Sequence, residues 1–262
     1  GLYQGNVGLS TESTALEIPV QIEVFDFVLP KESHLKTAFD FYGHILDIRY
    51  PGKSREEYAE LADQFILNML KHRMNPVLNV DPTSVKDMAN VDRYRKMGLS
   101  NFSIGRKGGT FGNNWPEDDQ KLEELLPLYR TYGETLAAND LIDRQYIYTW
   151  DEGEIGNPRV SKVASMIHRA YAKIKNMVCY HGIWDPKENP AWGKDIDIWC
   201  FQISNFVQGP WDALKKTGME IWMYISGPSD DGTPNLAIDF DSIDYRIVPW
   251  MAWKYEIKGF LY

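Results

Sequence analysis

The sequence predicts an α/β fold, a closed (β/α)8 TIM barrel. Three observations carry this. Eight short strand-like segments alternate with helical patterns, which argues for a parallel sheet with helices outside it. The chain has 262 residues, and eight such units in about that length match a single barrel. Polar and acidic residues gather at the C-terminal ends of the strand segments, where such barrels carry their sites.

The expected elements run in order. Residues 1–16 are expected to be an N-terminal strand and linker, and residues 17–262 the barrel. Glu17–Pro30, EIPVQIEVFDFVLP, alternates Val20, Ile22 and Val24 with polar residues and reads as the first barrel strand. A short helix is expected near His34–Tyr42. Ser54 and Glu57 have capping-box spacing and open a helix with Tyr58, Leu61, Ala62, Phe65, Ile66, Met69 and Leu70 along one side. Pro76–Val80 reads as strand, Val85–Met97 as helix, Leu99–Ile104 as strand and Asp118–Leu136 as one helix. Gln145–Trp150 is the next strand. Asn157 and Pro158 form an N-cap and first helical residue. Asn176–Tyr180, Ile196–Gln202 and Glu220–Ser226 read as strands. A helix opens at Pro210, and a short one spans Ile238–Tyr245. Trp253–Tyr262 closes the chain as the last strand. A doubly wound open sheet is the alternative, but no dinucleotide-type glycine fingerprint follows the first strand.

Composition narrows the function classes. The formal charge is −9, which argues against nucleic acid as partner. No run of 18 apolar residues exists, so no membrane span is expected. Nine Trp and fifteen Tyr are many. Their flat faces with polar edges suit sugar rings as well as barrel cores. Cys179 and Cys200 lie in apolar runs and read as free buried thiols. No His/Cys/Asp cluster has metal-ligand spacing, so no metal and no cofactor are expected. Arg106–Trp115 is Gly-rich but lacks a P-loop ending, and reads as a loop over the site. No signal peptide is visible, and the compartment is left open.

The strand ends supply the candidate site. They are Asp26; Asn79 and Asp81; Trp150, Asp151, Glu152 and Glu154; Tyr180 and His181; Gln202 and Asn205; and Tyr224 and Ser226. Carboxylates, amides and aromatics in one rim suit hydrolysis of a glycosidic bond, in which one carboxyl protonates the leaving oxygen. Asp151 and Glu152 are adjacent, and in a regular strand they would face opposite sides. They serve one site only if the strand ends there, as Gly153 suggests. Repulsion between them should raise one pKa and favour a protonated acid. An adjacent pair also suits substrate assistance, in which one acid holds a 2-acetamido N–H and its neighbour acts as acid and base. Blander roles stand beside these. The pair could cap the following helix, and Glu154 could be a first-turn acid. His181 could hydrogen-bond within its loop, and Arg246 could pair structurally. Trp199 and Trp222 could be core.

At this point the sequence resembles glycoside hydrolase family 123, the β-N-acetylgalactosaminidases. The matching stretches are IPVQIEVFDFVLP, YIYTWDEGE, IDIWCFQ, EIWMYISGP and IDYRIVPWMAWKYEIKGFLY. The resemblance implies a (β/α)8 catalytic domain that cleaves β-linked N-acetylgalactosamine with retention. It implies Asp151 as the acetamido-orienting residue and Glu152 as general acid/base. Tyr224, Tyr180, His181, Trp250 and Asp26 are the expected carbohydrate-binding residues. It also implies a β-sandwich domain before the barrel, with Gly1–Leu9 as the remnant of its last strand. Related sequences often carry proline after the acid pair, where this chain has Gly153. A conventional two-carboxylate retaining glycosidase and a non-catalytic carbohydrate-binding barrel remain the alternatives.

Overall fold

A computed structural model describes residues 1–40, 43–105, 114–153, 156–182, 193–207, 209, 211–227 and 232–262. It divides into two units, Gly1–Lys31 and Glu32–Tyr262.

The first unit is a hairpin. Strand β1, Leu2–Ser10, pairs antiparallel with β2, Ala15–Glu23, in unbroken register from Leu2↔Glu23 to Ser10↔Ala15. Thr11 closes the turn, its N–H donating to the Thr14 carbonyl at 2.8 Å. Tyr3, Val7 and Leu9 share a face with Leu16, Ile18, Val20 and Ile22, and all are exposed. The Val20–Ile22–Val24 alternation therefore belongs to a real strand, but to this hairpin and not to the barrel. The unit boundary falls at Lys31/Glu32, not after residue 16.

The second unit is the barrel. Strand β3, Lys36–Ala38, is its first member, in a stretch the sequence reads as helix. Helices α1 (Gly43–Arg49), α2 (Arg55–Lys71) and α3 (Val85–Lys96) follow. The capping box of α2 forms as expected: Glu57 N–H donates to Ser54 Oγ at 3.2 Å, and Ser54 N–H donates to Glu57 Oε2 at 2.7 Å. Next are β4 (Phe102–Ser103), α4 (Asp119–Glu123) and α5 (Leu126–Ala138). The single helix expected over 118–136 is thus two, and Pro127 opens the second. Then come β5 (Gln145–Trp150), α6 (Pro158–Ala170), β6 (Asn176–Tyr180) and β7 (Ile198–Gln202). The chain ends with α7 (Trp211–Lys215), β8 (Glu220–Tyr224), α8 (Ser242–Lys254) and β9 (Gly259–Leu261).

Among the described residues, seven strands pair in parallel in the order β3-β9-β8-β7-β6-β5-β4. The gap between β4 and β3 is spanned by residues 76–80. They make parallel bridges Phe39↔Pro76 and Val80↔Ile104. Val77 N–H donates to the Phe39 carbonyl and Val80 N–H to the Ser103 carbonyl, both at 2.9 Å. This eighth segment is not a full strand because Pro76 lacks an N–H and Asn79 sits at φ +50°. Buried amides stand in for the missing ladder. Asn75 N–H donates to Thr37 Oγ1 at 2.6 Å, and Asn101 Nδ2 donates to the Thr37 carbonyl at 2.9 Å. The ring is therefore a closed (β/α)8-type barrel.

Strand alternation sorts the core. Ala38, Tyr146, Tyr148, Met177, Cys179, Ile198, Cys200, Trp222 and Tyr224 fill the interior. Val178, Trp199, Phe201, Ile221, Met223 and Phe260 face the outer helices. Gly259 is required beside Trp222: a Cβ there would lie 2.1 Å from the indole. At the N-terminal end of the barrel Glu220 of β8 accepts from Lys36 of β3 at 2.8 Å and from Lys175, just before β6, at 2.6 Å. Burial opposes the Glu220 charge, but the two ammonium groups outweigh it and hold its carboxyl down at about 2, from an ordinary 4.5. Lys36 is lowered, by burial first and by the neighbouring Lys175 charge.

This cluster ties three strands together and predicts a pH signature. Its contribution is complete above the unfolded carboxyl value of about 4.5 and is lost as pH falls toward 2. Glu220→Gln leaves two half-buried cations facing each other. It should destabilise the barrel by about 3 kcal/mol at pH 7 in urea unfolding, and flatten the acid limb of the stability profile.

Candidate active site

The site begins with an irregularity in β5. Tyr148 pairs with Met177 but Trp150 pairs with Val178, so Thr149 is an extra residue in the strand. The bulge is pinned on both sides. Trp115 Nε1 donates to the Thr149 carbonyl at 2.7 Å, and Thr149 Oγ1 donates to Asn176 Oδ1 at 2.8 Å. In a regular strand with Thr149 paired like its neighbours, Trp150 would follow Tyr146 and Tyr148 into the barrel. With it, Trp150 packs among the outer clusters and Asp151 turns to the mouth.

The next residue turns as well. Glu152 has φ +44°, a left-handed conformation that costs a residue with a side chain about 1 kcal/mol. Its N–H donates to the Cys179 carbonyl at 3.0 Å. Bulge and turn together answer the alternation problem: two consecutive acids line one cavity. Gly153 follows of necessity, because a Cβ there would meet Trp150 Nε1 at 2.5 Å. A proline at this position would place its Cβ in the same space.

The cavity has a volume of about 650 Å³ and lies at the C-terminal end of the strands. Its walls include Asp151 and Glu152, Tyr148, Tyr224, Ser226, Asp40 and Tyr262. That size suits a small-molecule ligand. Tyr148 Oη donates to Asp151 Oδ1 at 2.5 Å. Tyr224 Oη donates to Glu152 Oε1 at 2.9 Å. His181 Nε2 lies 2.6 Å from Glu152 Oε2. Gln202 Oε1 is 3.0 Å from His181 Nδ1, and Asn205 Nδ2 donates to the His181 carbonyl.

The electrostatics divide the pair. Burial pushes the Asp151 carboxyl above its ordinary value. The Tyr148 hydroxyl pulls it down, Glu152 adds to the rise, and His181 opposes it. Burial also pushes the Tyr148 and Tyr224 hydroxyls far up, and the carboxylates beside them add to that. Both tyrosines therefore remain hydrogen-bond donors at any working pH. The acid whose pKa rises is Asp151.

The structure brings together Asp151, Glu152, His181 and Tyr224 at one mouth, with Gln202 and Asn205 behind the histidine and Ser226 in the wall. It separates the others. Tyr180 is on the outward face of β6 and packs in the helix-facing cluster, since alternation after Cys179 turns it away. Trp250 is on α8, not in a loop, and is 67% exposed on that helix. Asp26 follows the hairpin strand β2 in the first unit and ends no barrel strand. Asp81 accepts from Thr83 Oγ1 at 2.7 Å in the turn ahead of α3. Trp222 fills the barrel and Trp199 faces the helices. Glu154 lies outside the described residues, as do residues 106–113 of the Gly-rich loop. Sequence reasoning missed Tyr148, although its place two residues after inward-facing Tyr146 was the available signal. It also missed Asp40, which follows a strand too short to show any pattern. Among the described residues no group of three or more His, Cys, Asp or Glu is arranged to hold a metal ion.

No family model matches the chain, and no curated protein matches it. Among solved structures, a family 123 glycoside hydrolase from Clostridium perfringens superposes with a TM-score of 0.63. The match covers 100% of this chain and 55% of that one, at 10% identity. The likeness is one of fold, a (β/α)8-type barrel. A β-D-glucuronidase from Dictyoglomus thermophilum gives 0.48 at 14% identity, over 100% of this chain and 50% of that one. A GH10 xylanase from Thermobacillus composti gives 0.43 at 10% identity, over 87% and 83%. The chain thus spans about half the length of the first two.

Asp151 carries a measurable signature. Its folded pKa is raised, so ionisation destabilises the fold, and that cost grows as pH rises from the ordinary carboxyl value through the folded one. Asp151→Asn should raise Tm at pH 7. The gain should vanish near pH 3, where the wild-type carboxyl is protonated in both states. A variant less stable at pH 7 would contradict the burial account.

Proposed function

We propose that this protein is a retaining glycoside hydrolase for β-linked N-acetylgalactosaminides that uses the substrate's 2-acetamido group as nucleophile. The observation that carries this is the bulge-and-turn that sets Asp151 and Glu152, neighbours in sequence, into one cavity. In this reading Asp151 accepts the acetamido N–H, and Tyr148 fixes the carboxylate's orientation. Alignment of the acetamido oxygen with the anomeric carbon makes the attack intramolecular. Glu152 protonates the glycosidic oxygen as that bond breaks. As a carboxylate it then takes a proton from the water that opens the oxazolinium ring, so two inversions give retention. Tyr224, on the wall, gives its own hydrogen to Glu152 Oε1 and would accept from a sugar hydroxyl. The hairpin's apolar face supports the β-sandwich that the resemblance implies.

Asp40 favours a second reading. It lines the same cavity, and in a conventional two-carboxylate glycosidase it would be the nucleophile opposite Glu152.

Chromogenic β-GalNAc, β-GlcNAc and β-galactose glycosides separate the two. Under the first reading only N-acetylated substrates are cleaved. Asp151→Asn should then lower kcat by at least about 100-fold, whereas Asp40→Asn leaves a retained product. Cleavage of the plain galactoside at a similar rate, abolished by Asp40→Asn, would sink substrate assistance. If nothing is cleaved but Glu152→Gln still binds N-acetylhexosamines, the barrel is a carbohydrate-binding module.

A further inference from the structure

We infer that His181 is a positioning residue that holds one proton in common with Glu152, so that the pair, and not the glutamate alone, is the proton store of the site. This rests on the proposed role of Glu152 as acid and base, but the inference is carried by hydrogen-bond direction.

The Gln202 side-chain oxygen lies 3.0 Å from His181 Nδ1. In this orientation of the Gln202 amide a carbonyl oxygen faces Nδ1, and since it only accepts, Nδ1 carries a hydrogen. The Tyr224 oxygen, 3.3 Å from the same nitrogen, is also a suitable acceptor because its own hydrogen goes to Glu152 Oε1. With Nδ1 protonated, a neutral imidazole leaves Nε2 with a bare lone pair. Nε2 lies 2.6 Å from Glu152 Oε2, a distance at which lone pair and ionised carboxylate would repel. With the Gln202 amide so oriented, a proton lies between them. It resides either on Nε2, making an imidazolium–carboxylate pair, or on Oε2, making neutral imidazole and carboxylic acid. Both forms have the same proton count.

The scaffold enforces this geometry. Glu152 is fixed by its left-handed turn and by the Cys179 carbonyl, and His181 is fixed through its own carbonyl by Asn205. Among the described residues, the titratable groups facing the imidazole are Glu152 and Asp151 from the end of β5 and Tyr224 from β8. Gln202 from β7 and Asn205 are neutral. Both carboxylates favour retention of the proton.

The cycle balances. In the first step the shared proton leaves through Glu152 to the glycosidic oxygen, which takes the electrons of the broken C–O bond. The pair is then a carboxylate beside a neutral, Nδ1-protonated imidazole. In the second step the attacking water gives one proton back to the pair.

The test is nitrogen-15 NMR of the imidazoles in the unliganded protein, which has five histidines. It needs no substrate. At pH 7 His181 should show Nδ1 bearing hydrogen and a strongly downfield Nε2 proton. Glu152→Gln should remove the downfield Nε2 proton signal at pH 7 while the signals of the other four imidazoles stay in place. An Nε2–H tautomer with bare Nδ1, or a downfield signal unchanged by Glu152→Gln, would overturn the inference whatever the enzyme cleaves. On any glycoside that proves to be cleaved, His181→Gln should move the alkaline limb of the kcat/KM profile to lower pH by about one unit or more, mainly through kcat. Equal loss at every pH with an unmoved limb would mark a merely structural histidine. Absence of all glycosidase activity with the NMR signature intact would refute the proposed reaction and leave the shared proton standing.

Discussion

One extra residue in one strand governs the mouth of this barrel. Parallel strands fix alternation strictly, and β5 enters with Tyr146 and Tyr148 inward. Continued without interruption, it would place the large Trp150 ring in the mouth and turn Asp151 toward the helices. The bulge at Thr149 reverses both. Its hold on the fold is distributed: Trp115 reaches the bulged carbonyl from a distant loop, and Asn176 on the neighbouring strand takes the hydroxyl. The left-handed Glu152 and the side-chain-free Gly153 then follow as consequences of where the Trp150 indole has gone. Strain here is local, and it sits at the candidate site.

The two ends of the barrel treat charge in opposite ways. At the N-terminal end one carboxylate, Glu220, meets two ammonium groups and is held ionised. That arrangement ties β3, β6 and β8 and serves stability. At the C-terminal end three carboxylates, Asp40, Asp151 and Glu152, line one cavity, and an imidazole stands beside Glu152. Burial and repulsion from Glu152 both act against the charge of Asp151. A barrel selected for stability alone would not place Asp151 there. Its presence beside a cavity of ligand size, against its own solvation, supports the candidate site independently of any likeness to other proteins.

Much of this was legible in the sequence, and the failures have physical causes. Long or well-capped elements read correctly: the Ser54–Glu57 box, the Asn157–Pro158 start and the apolar strands β6, β7 and β8. The first barrel strand did not. Lys36–Ala38 has three residues and no alternation, and neighbours, not propensity, make it a strand. The better pattern, Val20–Ile22–Val24, went to the hairpin, because alternation marks a strand but not its partner. The error carried Asp26 into the candidate site and kept Asp40 out. Tyr180 was misplaced for a simpler reason: a strand-end position does not tell which face a side chain takes until the register is known. The acid pair was legible because three acids after an aromatic strand are rare, but the bulge that makes it usable left no mark in composition.

The raised pKa of Asp151 also bears on how the proposed chemistry would select its substrate. A buried carboxylate opposed by its surroundings gains most from a new hydrogen-bond donor. In the free site Tyr148 supplies one donor and burial removes water. An acetamido N–H arriving at the other oxygen would restore what burial removed, and would do so only for a sugar carrying that group in the right place. The same contact would hold the acetamido oxygen near the anomeric carbon, so the interaction that selects the substrate would also assemble the nucleophile. Glu152 stands differently, clamped by Tyr224 and His181 on its two oxygens. In the proposed reaction it would serve proton transfer and not recognition. Two carboxylates adjacent in sequence would thus be given different tasks by the hydrogen bonds around them.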